Sequence, residues 1–600
     1  MKSTENKKIK EGENLQQNIF KIHSVRRLLE LTKPYKMMII GALGCVLLVN
    51  LGELLKPYIL KLVIDDFLVS KTPSKGVYSI TTMAISYFLV VASSGFFSMC
   101  QANLINKASQ SIMKEIRGKV FRIIQYLPLS YLDSTSSGRL ITRATNDVEA
   151  INDMYTSVVL SLFSDIFLLV GIIVAMFILN VKLAIISFST VPILFIIIFT
   201  LKKKIKSNFK RMKETIGKIN GFIAENISGM KIVQIFRGEK EKYDEFSALN
   251  KEYYEISAFQ IWLNSFLRPM ADILQNLAII VIILYAMGPI ENKVLEIGVV
   301  YAFTSYIKQF FGPISDIADQ YTTINSALIS ADRIFEIIDK EDIIEDLDTG
   351  IRMDRFNGNI EFKNVWFSYT NKEWILKDIT FKLKRGETAA FVGETGAGKT
   401  TIINLIGGFY KVQKGEILID GINIEKINKR DLRKNVGIVL QDVFLFSGNI
   451  EDNISLNDDI DKELLNEALK ISCADCFVNS MPNGIEEPVM ERGSTFSAGQ
   501  KQLLSFARAL AHSPSILVLD EATANIDTTT EKLIQKAIDN ASKDRTTLVI
   551  AHRLSTIRNA DKIIVLESGE IVEIGNHSEL MENKGHYRKL VTNSIAFSKS

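Results

Sequence analysis

Gly393-Glu394-Thr395-Gly396-Ala397-Gly398-Lys399-Thr400 follows the apolar run Thr388–Val392 and precedes the helical run Thr401–Gly408. This is the full phosphate-loop pattern in the strand–loop–helix setting that it requires. Its glycines let consecutive backbone N–H groups close around phosphate oxygens, and the helix start that follows favours negative charge. Lys399 is spaced to reach β and γ phosphates, and the Thr400 hydroxyl to ligate Mg²⁺. The stretch predicts an α/β nucleotide-binding domain in which Gly393 through Thr400, with Thr401, surround the nucleotide.

Two apolar strands further along the chain carry chemistry to the same region. Ile516–Leu519 ends in Asp520-Glu521, a placement that can deliver Asp520 to the Mg²⁺ shell and Glu521 to an attacking water. Thr547–Ala551 ends at His552, placed to contact the γ phosphate. In isolation, Asp520-Glu521 reads as a surface acidic pair and His552 as an ordinary polar residue. The preceding phosphate loop turns both readings towards hydrolysis.

Upstream the composition changes. The 600-residue chain is 47% hydrophobic and 23% charged overall, an average that hides two unlike halves. Six apolar segments, at about 37–57, 77–101, 156–179, 182–201, 264–287 and 294–317, approach the ~20 residues that a spanning helix needs. Their connections alternate short and long. The first long-loop signal of orientation is the cationic start of 202–262, which holds 13 Lys or Arg and favours the cytoplasmic face. An even number of spans puts both termini on that side. The organisation expected is a tail over 1–24, a membrane domain over 25–330, a linker over 331–357 and a nucleotide-binding domain over 358–595.

Several function classes fall away. With 71 basic and 68 acidic residues there is no case for a nucleic-acid partner, which needs a clustered basic surface. Cys45, Cys100, Cys473 and Cys476 are too scattered for a disulfide framework, and the lone CxxC at 473–476 lacks a second pair to complete a metal site. The polar, lysine-rich first 20 residues are not a cleavable signal peptide. Glu53, Arg268 and Asp272 fall in or beside spans and are candidates for a substrate pathway, with interhelical pairing or snorkelling as the plainer reading.

Taken together these motifs resemble the ATP-binding cassette family, specifically exporters that fuse six transmembrane helices to one nucleotide-binding domain; the resemblance runs over about 25–590. It implies a multidomain chain: an all-α six-helix transmembrane domain, then an α/β P-loop NTPase cassette. It implies ATP and Mg²⁺ as cofactors, Tyr369 as the aromatic residue stacking on adenine, and Gln441 as the glutamine that senses Mg²⁺. Phe496-Ser497-Ala498-Gly499-Gln500 resembles the cassette signature, usually Leu-Ser-Gly-Gly-Gln, whose Ser497, Ala498, Gly499 and Gln500 serve the ATP of an opposite subunit. Ala524-Asn525-Ile526-Asp527 resembles the turn linking the two sites, with Asp527 retained, and Glu491, Arg492 and Gly493 the exporter-specific segment before the signature.

The resemblance therefore implies that the chain is half of a transporter. Retained Glu521 and His552 fit a competent site, while the altered signature and turn favour a heterodimer over a homodimer. By the same resemblance, the cytoplasmic stretches around Tyr131–Asp147 and Gly221–Glu239 bracket loops that dock on the cassettes. The activity implied is ATP-driven export of hydrophobic or amphipathic small molecules, with lipids, lipopeptides or peptides as the alternative cargo and an ATP-gated channel as a remote one. The location implied is a bacterial plasma membrane. No residue of the substrate site is legible.

Overall fold

The computed structural model describes residues 23–69, 80–291, 295–340, 344, 347–370, 372–456, 458–520, 528–550, 557–583 and 585–597. The chain divides into two compact units. One comprises Met1–Gln125 and Ser137–Glu341; the other comprises Tyr126–Ser136 and Asp342–Ser600.

The first unit is all helical. Among the described residues, four helical stretches are long and apolar enough to cross a membrane: His23–Leu68, Ile80–Tyr126, Ser137–Leu179 and Glu239–Glu291. The helices Ile80–Tyr126 and Glu239–Glu291 contain 47 and 53 residues. At 1.5 Å per residue each far exceeds a hydrocarbon layer about 30 Å thick, so their polar ends extend beyond it.

The other two apolar segments read from the sequence lie on helices of a different character. The segment at 182–201 is split between Val181–Phe188 and Val191–Ser228. Asn180 caps the first piece by accepting from Leu183 N at 3.0 Å, and Pro192 enters the second near its start, where a missing N–H costs nothing. The segment at 294–317 lies within Ile297–Ile338, whose apolar character is diluted by Thr304, Lys308, Gln309 and Pro313. The buried centre of this unit joins Ile172 and Met176 to Leu183, Ala278, Ile282, Phe303 and Ile307.

The second unit contains a four-stranded antiparallel sheet and a six-stranded sheet. The strands are β1 (Ile360–Phe367), β2 (Leu376–Leu383), β3 (Thr388–Gly393), β4 (Lys414–Ile419), β5 (Ile422–Asn423), β6 (Val436–Val439), β7 (Gly448–Asn449), β8 (Pro488–Val489), β9 (Ile516–Asp520), β10 (Thr546–Ile550), β11 (Lys562–Glu567) and β12 (Glu570–Gly575). The small sheet runs β2-β1-β4-β5 and the large one β12-β11-β3-β10-β9-β6. In the large sheet only the β11–β12 pair is antiparallel. All five residues of β9 and of β10 are buried, as expected where helices cover both faces of a parallel sheet.

Gly415 marks where the small sheet is tightest. Its φ is +79°, and an added Cβ would lie 2.2 Å from the Asn364 carbonyl oxygen and 2.4 Å from that of Lys363. Both obstacles are backbone, so neither can swing aside. Gly415→Ala is expected to destabilise this unit by about 2 kcal/mol, lowering its calorimetric Tm by roughly 4–8 °C; an unchanged Tm would contradict this packing.

Candidate nucleotide site

The loop Gly393–Thr400 joins β3 to the helix Lys399–Ile406. Gly396 and Gly398 adopt φ of +89° and +99°, which only glycine adopts at little cost. A Cβ on Gly393 would lie 2.2 Å from the Leu566 carbonyl oxygen, and one on Gly398 would lie 2.5 Å from Leu376 Cδ2. The spacing of glycines is thus enforced by the walls of the cradle as well as by its turns. Glu394, Thr395, Gly396 and Thr400 are exposed, whereas Ala397, Gly398, Lys399 and Thr401 are buried.

Lys399 closes over the loop. Its Nζ donates to the Gly393 carbonyl at 2.7 Å and to the Glu394 carbonyl at 2.9 Å. Burial pushes its pKa below the ordinary lysine value, and the nearby Asp520 carboxylate opposes that shift. A partly desolvated ammonium held by two neutral acceptors is a cation short of negative charge, a setting suited to phosphate.

Strand register brings Asp520 to this place. Ile550 of β10 pairs with both Phe391 of β3 and Asp520 of β9, so β9 and β10 finish level while β3 runs two residues further into the phosphate loop, at the usual ligand edge of a parallel sheet. Asp520 is buried while Thr400 is exposed. Both are hard oxygen donors of the type Mg²⁺ takes. The residues present therefore fit a metal–nucleotide complex. Glu521 and His552, which follow β9 and β10 in the chain, and Ala524, Asn525, Ile526 and Asp527 lie outside the described residues.

Tyr369 stands beside the loop, 44% exposed. Its hydroxyl donates to Thr401 Oγ1 at 3.2 Å and accepts from Asn404 Nδ2 at 3.2 Å. The ring meets those of Phe367 and Tyr410 edge-on, with centroids 4.8 and 5.0 Å away, leaving aromatic surface for a base. Tyr410 and Asn404 carry no motif signal, and only their neighbours reveal them. The Tyr410 hydroxyl also donates to Asp133 of the short helix Leu129–Ser134, which belongs to this same compact unit. Burial and the Asp133 charge push the Tyr410 pKa upward.

The signature residues are arranged separately. Ser497 caps the helix Ala498–Leu510: its Oγ accepts from Gln500 N, and its own N–H donates to Gln500 Oε1 at 2.9 Å. This reciprocal cap holds Ser497 and Ala498 exposed at a helix N-terminus while Gly499 is buried. The Ala498 methyl therefore points to open surface. Among the described residues, no hydrogen bond or ion pair joins Ser497, Ala498, Gly499 or Gln500 to the phosphate loop. Gln441 is exposed, in a loop that also exposes Leu440, Phe444 and Phe446. Arg492 and Gly493 hold φ of +54° and +61° just before the signature.

In the helical unit, Glu53 pairs with Lys56, the plainer of its two readings. Asp272 is exposed, and the Arg268 side chain lies outside the described residues. Arg143 donates to Glu336 at 3.0 Å, and Asp147 accepts from Ser330 at 2.8 Å. Within the stretch Tyr131–Asp147 these two thus brace the helix Ile297–Ile338, whereas Asp133 faces Tyr410.

Comparison with known proteins adds to this geometry. Residues 38–314 match the family described as ABC transporter transmembrane region, and residues 376–524 match the family described as ABC transporter. A Bacillus subtilis (strain 168) protein named "Probable multidrug resistance ABC transporter ATP-binding/permease protein" is 42% identical, over 82% of this chain and 74% of that protein. A Mycobacterium bovis fatty acid ABC transporter is 33% identical, over 85% and 80%. An ATP-dependent lipid A-core flippase of Syntrophus aciditrophicus is 33% identical, over 96% and 94%.

Proposed function

The chain belongs to the ABC transporters that join a transmembrane region to an ATP-binding domain, and from that premise we propose that it is one half of a six-span exporter. It is a multi-pass membrane protein of bacterial type, and its ATP hydrolysis is coupled to transport of hydrophobic or amphipathic molecules. The cargo proposed is of the multidrug type. Lipid is the second reading, favoured by the fatty acid and lipid A-core relatives.

The observation that carries the reading is the phosphate cradle closed by Lys399 beside Asp520. In the proposed cycle Tyr369 stacks on adenine, and Lys399 exchanges its two carbonyl partners for β and γ phosphates. Thr400, Asp520 and Gln441 would hold Mg²⁺, which supplies charge neutralisation to the phosphate oxygens when bound. Glu521 takes the proton of the attacking water, and His552 contacts the γ phosphate.

A partner completes the machine. Ser497, Ala498, Gly499 and Gln500 present an exposed helix start to the γ phosphate of the second subunit's ATP, and Asp527 connects the two sites. The surfaces left open support a second chain: the helix Met230–Ile235 buries none of its residues, and Ile232, Ile235 and Phe236 are each more than 60% exposed. The departures at Ala498 and Ala524–Ile526 favour a different second chain over a second copy. ATP then drives the inward-open to outward-open change to the extent that it binds the closed pair more tightly than the open one.

Inverted membrane vesicles containing the chain and its partner subunit test the cargo. ATP-dependent uptake of amphipathic dyes is expected, abolished when ATP is replaced by a non-hydrolysable analogue. Movement of a labelled lipid without any dye would select the second reading, and no ATP-dependent movement of either would overturn both.

A further inference from the structure

The stretch 331–357 reads from the sequence as a linker, yet from Asp348 onward it is laced to the nucleotide-binding unit as a strap. Ile351 N donates to the Lys426 carbonyl at 2.7 Å, Asn428 N donates to the Ile351 carbonyl at 2.9 Å, and Ile351 bridges Ile427 in parallel. Gly350 permits this approach. Its φ is +109°, and an added Cβ would lie 2.8 Å from Asn428 N and 2.9 Å from the Lys426 carbonyl oxygen. The helix that follows, Lys429–Asn435, takes three more holds. Arg430 grips the Asp348 carboxylate with two nitrogens, at 2.8 and 3.2 Å. Asp431 accepts from Met353 N at 3.0 Å, and the buried Asn435 accepts from Phe356 N at 3.3 Å and donates to the Asp354 carbonyl at 3.2 Å. The exposed Arg430 pair contributes little alone. The backbone holds are what offset the entropy lost in ordering a linker.

The same helix holds the segment that carries Tyr410. Leu432 is fully buried, and a Cβ added to Gly408 would lie 2.7 Å from its Cδ2. Lys429 Nζ donates to the Gly408 carbonyl at 3.4 Å, and the Arg433 guanidinium lies 5.9 Å from the centre of the Phe409 ring. Tyr410 comes next in the chain and meets the Tyr369 ring edge-on. Packed contacts therefore run without a break from the strap to the proposed adenine platform, inside one compact unit. Such a path couples two places only where one of its members has two arrangements. The strap is the member under load, because 339–347 joins it directly to the end of the helix Ile297–Ile338 in the helical unit.

We propose that the strap 348–356 is a positioning element of the adenine site. Seated, it holds the helix Lys429–Asn435 and so keeps Tyr410 against Tyr369; lifted, it loosens that support and weakens the grip on ATP. The proposal rests on the assignment of Tyr369 to adenine. By linkage, ATP favours the seated strap by the same factor that the seated strap favours ATP.

A double-mutant cycle tests it. The full chain with its partner subunit, in lipid nanodiscs, is photolabelled with 8-azido-ATP, and half-maximal labelling of this chain is read apart from that of its partner. Gly350→Ala, which must push the strap off the Lys426–Asn428 backbone, is expected to weaken ATP about three- to tenfold. Tyr369→Leu should weaken it as well, and the double variant should be no weaker than Tyr369→Leu alone. Should Gly350→Ala fail to assemble, Asp431→Ala replaces it in the cycle with an expected loss of at least twofold, and Asp431→Asn, which keeps an acceptor oxygen for Met353 N, should restore the affinity. Unchanged affinity in the strap variant overturns the proposal, as do effects that simply multiply with that of Tyr369→Leu, or a loss at Asp431→Ala that Asp431→Asn does not restore. Failure of the underlying reading looks different: the unsubstituted chain then takes up no label, or Tyr369→Leu alone changes nothing.

Discussion

Glu521→Gln is expected to leave ATP binding near normal while slowing hydrolysis by about 10²–10⁴-fold, the usual contribution of a positioned general base. At the end of β9, Asp520 pairs with Ile550 of β10, which pairs in turn with Phe391 of β3, two residues before that strand ends in the phosphate loop. Glu521 is the next residue in the chain. Glutamine keeps the size and one carbonyl oxygen of glutamate but is a negligible base, so water can be held and not activated. Because ATP is bound and not consumed, the closed pair of cassettes should accumulate. Steady-state phosphate release and the mass of the ATP-bound assembly check this, and turnover within threefold of the unsubstituted protein would remove Glu521 from the role.

Lys399→Ala should fail at an earlier step. The ammonium bridges the Gly393 and Glu394 carbonyls and is the one side-chain cation that the described structure places inside the cradle. Its loss removes charge stabilisation that grows as the γ phosphoryl group leaves, an effect of about 10²–10³-fold in kcat for a single preorganised donor. It also weakens ground-state binding, because the phosphates then meet only backbone dipoles. Both kcat/KM and nucleotide affinity should fall, in contrast to Glu521→Gln. Equilibrium binding of a fluorescent ATP analogue separates the two, and an affinity unchanged by Lys399→Ala would reject the phosphate role.

Much of this site was legible because its chemistry is contiguous. Eight successive residues make the cradle, and the positive φ of Gly396 and Gly398 follows from their places in the motif. The strand end at Asp520 was legible for a related reason: a short buried apolar run in front of a polar residue marks the edge of a parallel sheet. Tyr410 was not legible. Its use depends on Asp133, 277 positions earlier in the chain, and no local pattern reports such a pairing.

The spans show the limit of composition. Ile297–Ile338 loses apolar character to residues such as Tyr306, yet Tyr306 is buried with its hydroxyl donating to the Leu54 carbonyl at 2.7 Å. Hydropathy charges each polar group its full cost, whereas a packed helix offsets that cost with a partner on another helix.

By itself the sequence determined that the chain has an apolar helical half and a phosphate-binding α/β half, because span length and loop spacing are properties of consecutive residues. Only the tertiary structure decided which partner each polar group of the helical half met. Glu53 found Lys56 one turn away on its own helix, whereas Asp165 came to rest against Gln320 of another helix, 155 positions along the chain. That difference is set by helix rotation and crossing, which bring together residues far apart in the chain.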